Sequence, residues 1–334
     1  MSDETILSSV VVQSLAGKSL QDYLSFRFKY HSRDDWASNI RRGKVTVNGK
    51  ESLPETILVK GDEVAYSVIL KEPPVERNIN IIHEEESFIV ASKPGNLPSH
   101  ADGNYIKNTF VYILNEMLRP RGHAAPVKLV HRLDRETSGL MVAAIDPAAH
   151  RDLARQFEAG EVKREYIAVA RGRAAGDFFE VSGVITRDMD SSISIRRKLE
   201  PDRASASGKS VTRFEVIERC GNYTILRCIP LTGRTNQIRV HLAHAGYPIA
   251  GDKLYGRTDA EFLEFVNRVR SGNYDPLPWQ DAPRQLLHAN RLEFLHPFNK
   301  STLRFEAPVP DDMLAWKNTA DCGLKEHSIF RRVL

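Results

Sequence analysis

His131-Arg132-Leu133-Asp134-Arg135-Glu136-Thr137-Ser138-Gly139, running straight into the apolar Leu140 to Ile145, is the stretch on which the fold of this chain turns. A charged loop ending in a short apolar run of strand length describes the entry to a buried β-strand. One carboxylate on that loop, Asp134, stands between two guanidinium groups, Arg132 and Arg135. Nearby positive charge favours the ionised form of a carboxyl group. Asp134 is therefore expected to stay charged and to act as a nucleophile or electrostatic partner rather than a proton donor. A purely structural ion pair would leave the same trace, so the rest of the chain has to separate the two readings.

The chain of 334 residues has room for one large and one small domain. It holds no apolar run near the roughly 18 residues that suggest a membrane span. Its opening MSDETILSSV carries two acids and no base, unlike a secretory or transit signal. A cytoplasmic protein with no membrane partner is expected. The net charge of +4 is too small to name a partner, but its distribution is uneven. Residues 18–50 hold eight basic side chains (Lys18, Arg27, Lys29, Arg33, Arg41, Arg42, Lys44, Lys50) against three acids (Asp22, Asp34, Asp35). Cys220, Cys228 and Cys322 lack paired C-x-x-C spacing, so they are expected to be reduced and structural. His241 and His244 lie on one helix, but no acidic third ligand appears at a recognisable spacing; a structural pair is expected, and no metal.

Residues 12–72 read as a separate small module. Ser19-x-x-Asp22 and Ser32-x-x-Asp35 each place a capping hydroxyl three residues before a carboxylate, opening two short helices. The second should run from Arg33 to Arg42 and stop at Gly43, after which Val45-Thr46-Val47 leads into an Asn48-Gly49 hairpin turn. Residues 73–77 form a stiff proline linker. A large domain, 78–320, follows, with 321–334 as a tail. Its apolar runs, among them 80–82, 88–91, 140–145, 166–170, 181–185, 212–217, 224–229, 291–295 and 302–305, are mostly of strand length. Helices are fewer: Pro147 to Ala159 with Asp146 as cap, Asn236 to Ala245, and Ala260 to Arg270. The balance is that of an α+β domain on a large, mainly antiparallel mixed sheet.

Four segments in order, HRLDRETSGLMVAA (131–144), KREYIAVARG (163–172), LTGRTNQIRVHLAHAGYPIAGDKLYG (231–256) and LLHANRLEFLHP (286–297), resemble the signature motifs of the RluA-type pseudouridine synthases. The N-terminal helix-helix-hairpin resembles the alpha-L RNA-binding motif. The resemblance implies a pseudouridine synthase fold, an isomerase that needs no cofactor, and structured RNA as partner, with ribosomal RNA favoured over transfer RNA; a monomer is expected. It places Asp134 as catalytic carboxylate, Tyr166 as the ring that stacks on the target uracil, and Arg239 as the partner of the aspartate. Arg132, His131, Leu286 and Arg234 are expected at the substrate, Arg132 bracing the space left by an extruded base and Leu286 closing over it. Lys18, Arg33, Arg41, Arg42, Lys44 and Lys50 are expected to bind RNA, chiefly through phosphates.

Two positions depart from the family pattern. Asn236 stands where a histidine is usual, keeping hydrogen-bonding capacity and losing titratability. Ser99 stands where an apolar residue is common. The rival reading is a non-catalytic RNA-binding or ribosome-assembly protein that keeps the fold; retention of Asp134, Tyr166 and Arg239 disfavours it. A glycosidase acid and nucleophile made of Asp134 and Glu136 is the weaker rival, since glycoside cleavage uses two carboxylates and the resemblance places only Asp134 at the reaction.

Overall fold

The computed structural model describes residues 4–28, 31–69, 72–102, 105–123, 125–201 and 208–319, and the chain divides into two units, Met1–Glu72 and Pro73–Leu334. The tail 321–334, with Cys322, lies outside the described residues.

The first unit packs α1 (Leu20–Arg27) and α2 (Arg33–Arg41) on a four-stranded sheet of β1 (Glu4–Val10), β2 (Val45–Val47), β3 (Lys50–Glu51) and β4 (Glu63–Ile69), in the order β1-β4-β2-β3. Both helices start where the hydroxyl-carboxylate spacing placed them. Ser19 accepts the Asp22 amide, and Ser32 with Asp35 forms a reciprocal capping box. Asn48 and Gly49 both take positive φ, 51° and 74°, as a two-residue hairpin turn requires. Leu20, Tyr23, Leu24, Trp36, Ile40, Val45, Val64 and Tyr66 form the core. Structure begins earlier than residue 12: β1 pairs along its whole length with β4. It was illegible because its sequence, ETILSSV, is half polar and lies ahead of any turn signal.

The second unit is built on an eleven-stranded sheet. Its strands are β5 (Asn80–Glu84), β6 (Phe88–Lys93), β7 (Lys128–Leu129), β8 (Ser138–Ala144), β9 (Lys163–Arg171), β10 (Phe178–Arg187), β11 (Arg197–Glu200), β12 (Lys209–Cys220), β13 (Tyr223–Pro230), β14 (Leu287–Leu295) and β15 (Thr302–Glu306). The order is β11-β10-β12-β13-β9-β14-β8-β6-β5, with β15 on β14 and β7 on β8. Pairing is antiparallel except between β14 and β8, the one parallel pair among the described strands. There Gly139 sits at φ 112°, and a Cβ would collide with the Ala289 backbone, so glycine alone lets the strand that follows the Asp134 loop reach β14.

Helices α3 (Phe110–Leu118), α4 (Pro147–Glu158), α5 (Gln237–His244), α6 (Asp259–Arg270) and α7 (Asp311–Thr319) complete the unit. Asp146 caps α4 through the Ala148 and Ala149 amides, with Pro147 at its first position. Helix α3 is absent from the sequence reading because seven of the nine residues of its run FVYILNEML are apolar and the two polar ones, Asn115 and Glu116, are adjacent, too few to mark a period by eye. Separate apolar clusters cover the sheet, one under α5 with Phe214, Leu226 and Leu242, another under α3 with Phe110, Leu114 and Met141. In the stretch expected as a stiff proline linker, the Asn108 and Asn96 side chains donate to the carbonyls of Pro73 and Pro74.

One expectation needs correction. Cys220 is disulfide-bonded, whereas spacing alone argued for three reduced thiols. Cys228 is free and fully buried, and burial pushes its thiol above the ordinary range.

Candidate active site

Asp134 lies on the loop between β7 and β8, and that loop is held by its backbone. The Ser99 hydroxyl accepts the Leu133 amide at 3.1 Å and donates to the Leu133 carbonyl at 2.7 Å, closing both polar groups of the residue before Asp134. Lys93, fully buried, donates to the carbonyls of Arg135, Leu97 and Pro94 at 2.8–3.0 Å. Arg284 donates to the Glu136 carbonyl at 3.0 Å. The Ser99 departure from the family pattern thus serves the loop directly.

The guanidinium that meets Asp134 is neither neighbour in sequence. Arg135 turns to the Tyr105 hydroxyl at 2.8 Å and to Glu136 at 3.5 Å, and Arg132 is exposed. Adjacent side chains on extended backbone point apart, and the partner comes instead from α5. Arg239 donates through Nη1 to Asp134 Oδ2 at 2.7 Å. Its other edge is taken by Asp252, Nε to Oδ2 at 2.7 Å and Nη2 to Oδ1 at 2.9 Å. Asp252 also accepts the amides of Leu254 and Tyr255 at 2.8 and 3.0 Å. The Tyr255 ring packs on the Arg239 guanidinium with 4.9 Å between its carbon and the ring centre.

Charge in this group is unevenly spent. Burial alone would push the Asp252 carboxyl up, but the Arg239 guanidinium and the two backbone amides outweigh it and hold the group below its ordinary range. Asp252 has no exposed side-chain area, while Asp134 keeps 30% of its own. One guanidinium shared by two carboxylates leaves the group with net negative charge, and the accessible end is Asp134. A bidentate fork to one acid and a single prong to the other is geometry that lysine cannot reproduce.

The turn before α5 aims these groups. Gln237 is buried; its oxygen accepts the Thr232 hydroxyl and the Arg234 amide, and its nitrogen donates to the Val211 carbonyl and the Thr212 hydroxyl, all at 2.7–3.0 Å. The turn so fixed carries Arg234, exposed, at the rim of a cavity of about 120 Å³. Asp134, Arg239, Tyr166, Arg132, Arg234 and Leu287 all line that cavity, as does Arg164. Burial holds the Tyr166 phenol above its ordinary range, with Asp134 adding to the shift against Arg164. Tyr166 therefore presents a neutral ring. Arg132, Arg164 and Arg234 have no carboxylate partner among the described residues, so three uncommitted cations surround the opening.

Two expected substrate residues lie elsewhere. Leu286 is fully buried in a cluster with Ile167, Val169 and Trp316, and the leucine at the cavity is Leu287; one step along a strand reverses the face. The His131 ring stacks on Phe157 at 4.3 Å and its Nε2 accepts the Val142 amide at 3.0 Å. Burial and Arg164 push its pKa down to about 3, so it is a neutral structural acceptor. Glu136 also turns away from Asp134, to Lys253 and the Gln285 amide at 3.0 Å each. Together with Arg135, Lys253 and Arg284 it lines a larger cavity of about 840 Å³ that contains none of Asp134, Tyr166 and Arg239. His241 bonds the Ser210 hydroxyl at 2.8 Å inside the protein.

Sequence reasoning missed Asp252, Arg164 and Leu287. Arg164 was findable, since it lies two residues before Tyr166 on the same strand face. Asp252 stands inside the quoted segment 231–256, but nothing local marks it as the partner of Arg239.

In the N-terminal unit, Arg41, Arg42, Lys44 and Lys50 are exposed at the end of α2 and along the following hairpin. Arg33 is paired with Asp22 at 2.9 Å, both side chains about half exposed, and Lys18 lies over the Phe26 ring at 5.3 Å.

Comparison with known proteins agrees with this geometry. The family described as RNA pseudouridylate synthase matches residues 87–244. The chain is 34% identical over 320 residues to ribosomal large subunit pseudouridine synthase D of Neisseria meningitidis serogroup B, covering 93% of this chain and 80% of that protein. It is 30% identical over 311 residues to ribosomal large subunit pseudouridine synthase C of Escherichia coli K12, covering 89% and 91%. The solved structure of human RNA pseudouridylate synthase domain containing 1 superposes with a TM-score of 0.54 at 25% identity, covering 73% of this chain and 90% of that one. The chain belongs to the RNA pseudouridylate synthase family and is an RNA pseudouridine synthase, an isomerase of α+β fold.

Proposed function

We propose that this enzyme converts uridine to pseudouridine in structured ribosomal RNA, with Asp134 as the catalytic carboxylate, Arg239 as its partner and Tyr166 as the surface for the uracil ring. The observation that carries the reading is the 2.7 Å contact from Arg239 to an Asp134 that remains partly exposed, in one cavity with Tyr166 and Leu287. The reaction breaks the bond from ribose C1′ to uracil N1, turns the base, joins C1′ to C5 and moves the C5 proton to N1. Bonds and electrons balance with no oxidant or reductant.

Each residue has a task in that sequence. Asp134 brings negative charge to the ribose–uracil bond. Arg239, itself fixed by Asp252, keeps the carboxylate aimed while surrendering only part of its charge to it. The neutral Tyr166 ring and Leu287 give the detached uracil two flat or apolar walls, which hold it through the turn. Arg132, exposed and unpaired, supports the extrusion of the target from its stack, and Arg164 and Arg234 suit the flanking phosphates. The half-buried Lys18 and the exposed Arg41, Arg42, Lys44 and Lys50 of the N-terminal unit add affinity through phosphates, and Arg33 joins them when RNA displaces its exposed pairing with Asp22.

Ribosomal RNA as substrate rests on relatives whose names specify the large ribosomal subunit. Action as a monomer is part of the same proposal. Work on ribosomal RNA supports a cytoplasmic site. The test is pseudouridine formation by the purified full-length protein on ribosomal RNA transcripts. Wild type is expected to convert discrete uridines and Asp134→Asn to convert none while binding RNA within a few fold. Undiminished conversion by Asp134→Asn overturns the assignment, and RNA binding without conversion by wild type favours the non-catalytic reading.

A further inference from the structure

Asn236 occupies the N-cap of α5 without capping it. An asparagine at that position ordinarily has extended backbone and accepts an amide of the first turn. Here the backbone is left-handed, φ 56° and ψ 21°, and the side chain makes no capping bond. The amide is committed elsewhere. With its nitrogen toward Asp134 it donates to Oδ2 at 3.0 Å and Oδ1 at 3.3 Å, and its oxygen accepts the Tyr255 hydroxyl at 3.0 Å. The opposite orientation would set the amide oxygen against the carboxylate and keep only a 3.3 Å bond from Arg239 and one to Tyr255. The two ends of an amide are assigned by their partners, and a carboxylate facing the amide requires the donor end.

We propose that Asn236 is a positioning residue for Asp134, its amide gripping both carboxylate oxygens with a donor that does not titrate. The inference rests on Asp134 being the catalytic carboxylate. Arg239 alone reaches one oxygen, Oδ2, and leaves the carboxylate free to turn about that contact. The amide supplies the second point, and Tyr255 fixes the amide in turn. Tyr255 thus serves two members of the group, its ring against Arg239 and its hydroxyl on Asn236. Left-handed backbone is what lets one residue begin a helix and still turn its side chain to the β7–β8 loop; asparagine tolerates that conformation better than most residues. The charged and titratable groups facing position 236 are Asp134 from the loop, Arg239 from α5 and Tyr255 after it, with Asp252 behind Arg239.

The test is single-turnover pseudouridine formation on a ribosomal RNA transcript from pH 5.5 to 8.5, with full-length wild type, Asn236→Gly, Asn236→Asp and Asp134→Asn. Glycine keeps the left-handed backbone without strain and lacks the amide. Its rate is expected to fall by roughly ten- to a hundredfold at every pH, the size of a lost hydrogen bond to a charged group. Aspartate is near-isosteric, and two facing carboxylates share a proton when the pH is low enough. The 2.7 Å contact from Arg239 already supplies Asp134 Oδ2 with a donor, so the shared proton is expected on residue 236, where it restores the donor. Asn236→Asp is therefore expected to be slowest at pH 8.5 and to recover reversibly as the pH falls, while wild type shows no such recovery. Reversibility within one protein excludes misfolding as the cause. A wild-type rate in Asn236→Gly, or a rate without acid recovery in Asn236→Asp, overturns the proposal if Asp134→Asn is inactive. An active Asp134→Asn overturns the reading of Asp134 itself.

Discussion

Replacing Arg239 by methionine should damage stability as well as turnover, and the size of the loss follows from Asp252. That carboxylate has no exposed side-chain area and four hydrogen-bond donors, two from Arg239 at 2.7 and 2.9 Å and two from backbone amides. Arg239→Met leaves a buried charge with only the two amides, and stranding one member of a buried ion pair costs about 3–5 kcal/mol. Asp252→Asn in the same chain removes the stranded charge. The double variant is therefore expected to be more stable than Arg239→Met alone, a coupling that separates the buried pair from simple loss of packing. Urea unfolding, with hydrogen exchange on the α5 and β9 amides, would measure it, because two units need not unfold together. A loss under about 1 kcal/mol in Arg239→Met, or a double variant as unstable as the two single losses combined, would refute the reasoning.

Three further outcomes are expected. His131, His241 and His288 are kept neutral by burial, with pKa values of about 3, 4 and 4; below the ordinary 6.5 the unfolded chain binds protons that the folded one refuses, so stability should fall from pH 6.5 toward 4, by about 2 kcal/mol per histidine at pH 5, and a flat stability curve over pH 5–7 would contradict this. Leu286→Ala should cost about 2–5 kcal/mol as a core truncation with turnover of the folded enzyme kept, whereas Leu287→Ala should slow conversion as well; thermal melts and single-turnover rates on both variants decide it. Neutralising Arg41, Arg42 and Lys50 together should lower the slope of log affinity for RNA against log salt by roughly 2–3, about 0.7–0.9 per phosphate contact, and an unchanged slope would show that this face does not touch RNA.

Much of the fold was legible because local signals and burial agree. Asp146-Pro147 opens α4, Asn48-Gly49 turns the first hairpin, and the apolar runs at 140–145 and 224–229 became β8 and β13. Helix α3 and strand β1 were not, the first because only two of its nine residues are polar, the second because its pairing with β4 spans more than fifty residues. The site was legible residue by residue but not in its connections. Asp134 was found from the charges beside it, yet neither of them pairs with it and its partner lies 105 residues away. Leu286 and Leu287 differ by one position, and only the pairing of β14 decides which faces the cavity. Asn236 and Ser99 stood out as departures, but that both serve Asp134, one through its carboxylate and one through the preceding backbone, is information only tertiary structure holds.

Mapping pseudouridine at single-nucleotide resolution in total RNA from cells carrying the wild-type gene, a deletion, and Asp134→Asn would test the role of Asp134 most directly. Discrete ribosomal RNA sites present in wild type and absent from both altered strains are the expected result. Sites that persist with Asp134→Asn but vanish in the deletion would contradict it, because the protein would then modify RNA without the carboxylate on which the mechanism depends.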